Sequence, residues 1–250
     1  MIGSVKPPAE GTFGRGRRRL YYQSVGDAPG TPVVLVHGLS GSRRWWRRNV
    51  DALAGRHTVH LIDLVGYGIN RAIRPMGIAT AAEAIGEFVA MLPTGRAHLI
   101  GHSMGGHIAA TLAARFPERV ERLILVAASG LLRSNIFSMA MRLPLAAHYS
   151  PLEFLPTLAF DALRAGPLSL LLSTRDILGD DLTETLPRVK ARTLLVWGSR
   201  DNLVPVSAGK AMQRLITAAR LEVIEGGGHV VMWDHAEAFN RLAGEFLSEP

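Results

Sequence analysis

Several stretches of this chain are apolar at nearly every position, and that pattern limits how they can be used. Pro32 to Val36 is a continuous apolar run, and Val120 to Ala127, broken only by Glu121 and Arg122, and Thr193 to Trp197 are likewise rich in Val, Ile and Leu. A strand covered on one face alternates apolar with polar residues, whereas a strand covered on both faces has no polar side to show. These runs therefore predict buried strands. His57 to Leu64, the approach to Gly101 and Arg220 to Ile224 complete the set, and Arg18 to Val25 reads as an edge strand. Residues 1–16 read as a loose tail, and Asp27 to Gly30 as a turn.

Helical spacing falls between the strands. Trp45, Trp46, Val50 and Leu53 anchor a helix over Arg43 to Leu53, and positions 82, 85, 89 and 92 anchor one over Ala79 to Leu92. An alanine-rich run follows Ser103 as far as Phe116. A further helix is expected over Ser207 to Thr217, and a last one carries Phe239, Leu242, Ala243, Phe246 and Leu247 on one face. Strands alternating with helices predict an α/β fold with a mostly parallel central sheet flanked by helices. The rhythm breaks between 131 and 187, where Pro144, Pro151, Pro156 and Pro167 fall among Leu, Ala and Met. So long a segment is improbable as a structureless loop. It reads as an inserted helical cap, with 1–130 and 188–250 forming the core domain. Phe137, Met139, Met141, Leu143, Phe154 and Phe160 would then roof a site.

Composition adds bounds. With 250 residues, 48% hydrophobic content and 26 glycines, the chain can bury a large core as one domain. It has no cysteine, which excludes disulfides and thiolate metal sites. The N-terminal stretch lacks an apolar core of the signal-peptide type, and no run approaches the ~20 apolar residues of a membrane span. A cytoplasmic protein, monomeric or homodimeric, is the expectation. The net charge of +7 rests largely on Arg15, Arg17, Arg18, Arg19, Arg43, Arg44, Arg47 and Arg48. No nucleic-acid motif accompanies them, so a solvated arginine-rich surface is expected and no nucleic-acid partner.

The candidate chemistry centres on Gly101-His102-Ser103-Met104-Gly105, entered by an apolar strand and left by a helix. That is the context of a nucleophile elbow, a turn so tight that the glycines must lack a Cβ. Asp201 and His229 each follow another predicted strand, so all three residues reach the same edge of the sheet. A serine hydroxyl needs an imidazole to take its proton, and the imidazole needs a carboxylate to fix its tautomer. Ser103, His229 and Asp201 fit those roles. The loop His37-Gly38-Leu39 offers the Leu39 N–H as an oxyanion donor beside that of Met104. His37, Gly38, Trp45, Trp46 and Val230 are candidates for the substrate pocket. Among other histidines, His102 adjoins the nucleophile and reads as structural, and His148 lies in the insertion. Asp63 reads as a loop organiser, and Asp176, Asp180 and Asp181 fall in the cap. No metal-ligand spacing appears, so neither metal nor cofactor is expected.

Val36-His37-Gly38, Asp63-x-x-Gly66-x-Gly68, the serine turn, Gly198-x-x-Asp201 and Gly228-His229 together resemble the α/β-hydrolase superfamily. The resemblance implies the α/β-hydrolase fold and a Ser-Asp-His triad. Arg48-Asn49-Val50, Ser103-Met104-Gly105-Gly106 and His229-x-x-x-Trp233-x-His235-Ala236 look like the meta-cleavage-product C–C hydrolases. Those enzymes usually carry Trp after the catalytic His and often Asn before the nucleophile. Here Val230 and His102 occupy these places. The reading is a serine hydrolase for a small ester-like substrate, lactone or thioester with an apolar acyl group. A C–C hydrolase is the alternative, with Arg133, Arg164 or Arg175 meeting a substrate carboxylate. A low-turnover receptor on the same fold is the third possibility.

Overall fold

A computed structural model describes residues 9–131 and 152–249. Eight strands form one sheet in the order β1-β2-β4-β3-β5-β6-β7-β8. They are β1 (Ala9–Phe13), β2 (Leu20–Val25), β3 (Val33–Val36), β4 (Val59–Asp63), β5 (Ala97–His102), β6 (Val120–Val126), β7 (Arg192–Gly198) and β8 (Ala219–Ile224). β1, β2 and β4 pair antiparallel, and every pairing from β4 through β8 is parallel. The helices are α1 (Val50–Ala54), α2 (Ile78–Met91), α3 (Met104–Arg115), α4 (Leu155–Gly179), α5 (Val206–Leu215), α6 (Val231–Asp234) and α7 (Ala236–Ser248).

The apolar runs serve both faces. Val34 and Val36 join a core with α2 and α3, whereas Val33 and Leu35 join a second core with Trp46 and Phe239. In β6, Leu123 and Leu125 face the first core, and Ile124 and Val126 the second. Over these residues, side chains that alternate across the strand leave no solvent-facing position.

Two expectations need correction. The tail is not loose throughout, because residues 9–13 form β1 and β2 is therefore not the edge. Pairing and side-chain bonds, not apolar burial, hold that polar strand: Glu10 accepts from Tyr21 and, at 3.1 Å, from Gln23. The helix expected over 43–53 is broken into a 3-10 turn, Arg43–Trp46, and α1. Asn49 stands at the break, its buried amide donating to the Met232 carbonyl and Asn240 at 2.8 Å each. One described helix, α4, is long and apolar enough to cross a membrane by length and composition alone, with a mean hydropathy of 1.2. Gly166, at φ 75° before Pro167, divides it into two pieces, each well short of the ~20 residues of a bilayer span.

Phe137, Met139, Met141, Leu143, Arg133 and His148 lie outside the described residues. Phe154 is fully buried between Trp45 and Trp233, at ring distances of 5.1 and 4.8 Å. Phe160 is 42% exposed and carries the Arg44 and Arg164 guanidinium groups over its ring.

Candidate active site

Ser103 lies between β5 and α3 with φ 51° and ψ −113°, a conformation costly for a residue with a side chain. The surrounding bonds impose it. Its N–H donates to the Val126 carbonyl at 2.9 Å, and its carbonyl accepts from His107 and Ser129. The flanking glycines are required by contact. A Cβ on Gly101 would stand 2.3 Å from the Gly105 carbonyl oxygen, and one on Gly105 2.3 Å from that of Val36. The elbow is thus pressed against the end of β3. Gly38 follows that end closely, since a Cβ there would lie 3.2 Å from the Ser103 Cβ. Met104 follows Ser103 directly in the chain, and the loop that carries the other expected donor, Leu39, reaches the serine through its neighbour Gly38.

Asp201 and His229 meet from the ends of β7 and β8. His229 Nδ1 is 2.9 Å from Asp201 Oδ2, while Asp201 Oδ1 accepts the Leu203 and Val204 amides, each at 2.9 Å. The carboxylate is fully buried and the imidazole nearly so. A carboxylate oxygen accepts, so Nδ1 carries a proton, and in the neutral tautomer this fixes the lone pair sits on Nε2. The two loops are held together by backbone contact: a Cβ on Gly198 would strike the Gly227 and Gly228 carbonyls at 2.3 Å. Asp234 Oδ2 accepts the Gly228 N–H at 2.8 Å and fixes the turn before His229. Burial raises Asp234 to about 6.

The histidines around the triad act as struts. His37 is fully buried, accepts the Leu64 amide at Nε2 and so donates from Nδ1 to the Gly38 carbonyl. Burial lowers its pKa, keeping it neutral. His102, also fully buried, donates from Nε2 to the His229 carbonyl at 3.0 Å, its ring 4.9 Å from that of His229. Burial, reinforced by His229, holds its pKa well below the usual value.

Of the other pocket candidates, Trp45 is buried against His102 and Phe154. Val230 is buried, and its carbonyl accepts from Trp233 at 2.7 Å. Trp46 is fully buried in the core, its ring 6.3 Å from that of Phe239. Asp63 organises its loop, accepting from the Arg43 and Ile69 amides and the Arg43 guanidinium. The second arginine cluster is not merely solvated. Arg43 pairs with Asp63, and Arg47 and Arg48 stack on Trp233. Arg164 lies over Phe160 and Arg175 is exposed. Sequence reasoning missed Asp161, a buried carboxylate on α4 that accepts from Ser42 and Trp45. Nothing in its neighbourhood of Leu, Ala and Phe signals such a contact.

The model of the alpha/beta hydrolase family matches residues 33–242. The chain belongs to that family. A 2-hydroxy-6-oxononadienedioate/2-hydroxy-6-oxononatrienedioate hydrolase of Escherichia coli O139:H28 is 30% identical over 265 aligned positions, covering 93% of this chain and 92% of the relative. The structure of a membrane phospholipase A described as a bacterial virulence factor superposes with a TM-score of 0.78 at 27% identity, covering 96% of this chain and 86% of that one. A meta-cleavage product hydrolase from Pseudomonas fluorescens IP01 gives 0.70 at 26% identity, covering 92% and 94%. The fold is the α/β-hydrolase fold, and the protein is a hydrolase of that family.

Proposed function

We propose that this hydrolase cleaves a carboxylic ester, lactone or thioester through an acyl-enzyme on Ser103. The observation that carries the reading is the buried His229–Asp201 hydrogen bond beside a serine held on a strained elbow. With Nδ1 tied to Asp201, His229 Nε2 takes the Ser103 proton as Oγ attacks the carbonyl carbon. The Leu39 and Met104 amides then hold the oxyanion, each contributing about 3 kcal/mol to barrier reduction. His229 returns the proton to the leaving alkoxide, which departs as alcohol. A water then attacks the acyl carbon, giving up its proton to His229, which passes it to Ser103 Oγ as the acyl–Oγ bond breaks and the carboxylic acid leaves. The insertion between β6 and β7 serves as a cap, with Phe154 as part of an apolar roof. A small or medium apolar acyl group suits such a roof.

Two residues favour esters over a C–C substrate. His102 stands where the C–C hydrolases often carry Asn, and its Nε2 is committed to the His229 carbonyl. Val230 stands where they usually carry Trp. The relative acting on a 2-hydroxy-6-oxo dienedioate supports the second reading, C–C cleavage of a vinylogous keto acid, by its 30% identity across most of the chain.

Hydrolysis of p-nitrophenyl esters from acetate to decanoate decides between them, with a 2-hydroxy-6-oxo dienoate assayed beside them. Activity peaking at one acyl length is expected. Ser103→Ala should lower kcat by about 10⁴-fold or more, as removal of a triad nucleophile does elsewhere. Turnover of the dienoate alone would replace the ester reading by the second, and a Ser103→Ala protein of near-normal activity would remove Ser103 from the chemistry.

A further inference from the structure

We propose that Asp161 is a positioning residue: it clasps Ser42 and Trp45 from the inserted helix α4 and so holds the Gly38–Gly41 turn in register with Ser103. The proposal rests on the oxyanion role given to Leu39 above. One oxygen does the work. Asp161 Oδ2 accepts from Ser42 Oγ at 2.7 Å and from Trp45 Nε1 at 3.1 Å, across 119 and 116 residues of chain. The side chain is only 5% exposed.

Stability alone does not account for it. A carboxylate withdrawn from water gains little over an apolar replacement, and burial here raises its pKa despite Ser42, His37, Arg44 and Trp45 acting the other way. What the contact secures is geometry. Ser42 directly follows a turn closed by Gly41 N–H to the Gly38 carbonyl at 3.1 Å. Ser40 within that turn stands at φ 63°, a conformation that surrounding structure must enforce. The turn carries Leu39, and its first residue abuts Ser103. Trp45, the second donor, presses its indole against His102 at 5.7 Å, and His102 in turn holds the His229 carbonyl. A single carboxylate thus reaches both the oxyanion side and the imidazole side of the site, touching neither substrate nor reacting atoms. Because it rides on α4, docking of that helix and alignment of the turn become one event.

Two substitutions separate the hydrogen bonds from the charge. Asp161→Asn keeps an acceptor oxygen in the place of Oδ2; Asp161→Ala removes it. On whichever substrate the wild-type chain turns over, Asp161→Ala should lower kcat by at least tenfold with KM within threefold, and Asp161→Asn should stay within threefold of wild type. A residue that only stabilised the fold would leave kcat per titrated active site unchanged. Hydrogen exchange of the 38–45 amides supplies a readout independent of catalysis: at least tenfold faster in Asp161→Ala, near wild type in Asp161→Asn. Should Asp161→Ala not fold, Ser42→Ala carries the test, with a threefold or greater loss of kcat expected. Unchanged exchange and kcat in these variants, or an Asn variant as impaired as the Ala variant, would overturn the proposal. Loss of the Ser103 assignment would appear separately, as activity that survives Ser103→Ala.

Discussion

At the scale of single residues, the site is governed by the space left where two backbones cross. Gly105 has no room for a methyl group, because the atoms it would meet are the Val36 and His37 carbonyl oxygens at 2.3 and 2.5 Å. Those belong to a strand end that cannot shift without disturbing the sheet. Gly244 in α7 is the opposite case, a helical glycine with nothing within 4 Å of the missing Cβ. The two should respond to alanine with opposite sign. Gly105→Ala is expected to cost about 3 kcal/mol or more, from overpacking against fixed backbone. Gly244→Ala should stabilise by about 0.5–1 kcal/mol, by lowering the entropy of the unfolded chain. Urea midpoints of the two variants read both effects. A Gly105→Ala midpoint equal to wild type would mean that the elbow yields more readily than its contacts imply.

At the scale of elements, the junctions between strands and loops decide where functional groups stand. The exit of β4 shows how. Asp63 is fully buried and has three donors: the Arg43 and Ile69 amides at 2.7 and 3.0 Å and the Arg43 guanidinium at 2.9 Å. Asp63→Ala would leave a largely buried cation and two amides without their acceptor, and should destabilise by about 3–5 kcal/mol. A loss below about 1 kcal/mol in chemical denaturation would show that water replaces the carboxylate. The role of Asp63 was legible in sequence because a strand exit followed by Gly66 and Gly68 signals a loop needing an internal acceptor. The buried strands were legible for a similar reason, since core burial on both faces leaves a composition signal. β1 was not, because its pairing rests on backbone bonds and on Glu10, Tyr21 and Gln23, which carry no periodicity. The break at Asn49 was hidden too, since its partners, Met232 and Asn240, lie far along the chain. Asp201 and His229 were found because strand ends bring them to one edge. Asp161 escaped because a contact between distant elements leaves no local trace.

At the scale of the whole molecule, the buried histidines couple the fold to pH. His60 and His98 are both lowered to about 4, chiefly by burial, and His37 and His102 are lowered from the same cause. In each, the unfolded chain binds a proton that the folded chain refuses. Stability should therefore be full above about pH 6.5 and decline as pH falls toward 4. For His60 and His98 the loss at pH 5 comes to about 2 kcal/mol each. Asp234 works in the opposite sense. Its folded pKa of about 6 exceeds the ordinary 3.8, so protonation between pH 6 and 4 favours the folded state, by about 1.4 kcal/mol at pH 5. The histidines outweigh it. The positive net charge adds self-repulsion in the same direction as carboxylates neutralise. Thermal melts from pH 7.5 to 4.5 should show a falling Tm, steepest below pH 6.5. His98→Gln removes one of the four groups, and its melting curve should fall less steeply over that range. A Tm that holds level or rises between pH 6.5 and 4.5 would mean that water reaches these imidazoles, so that burial does not keep them neutral.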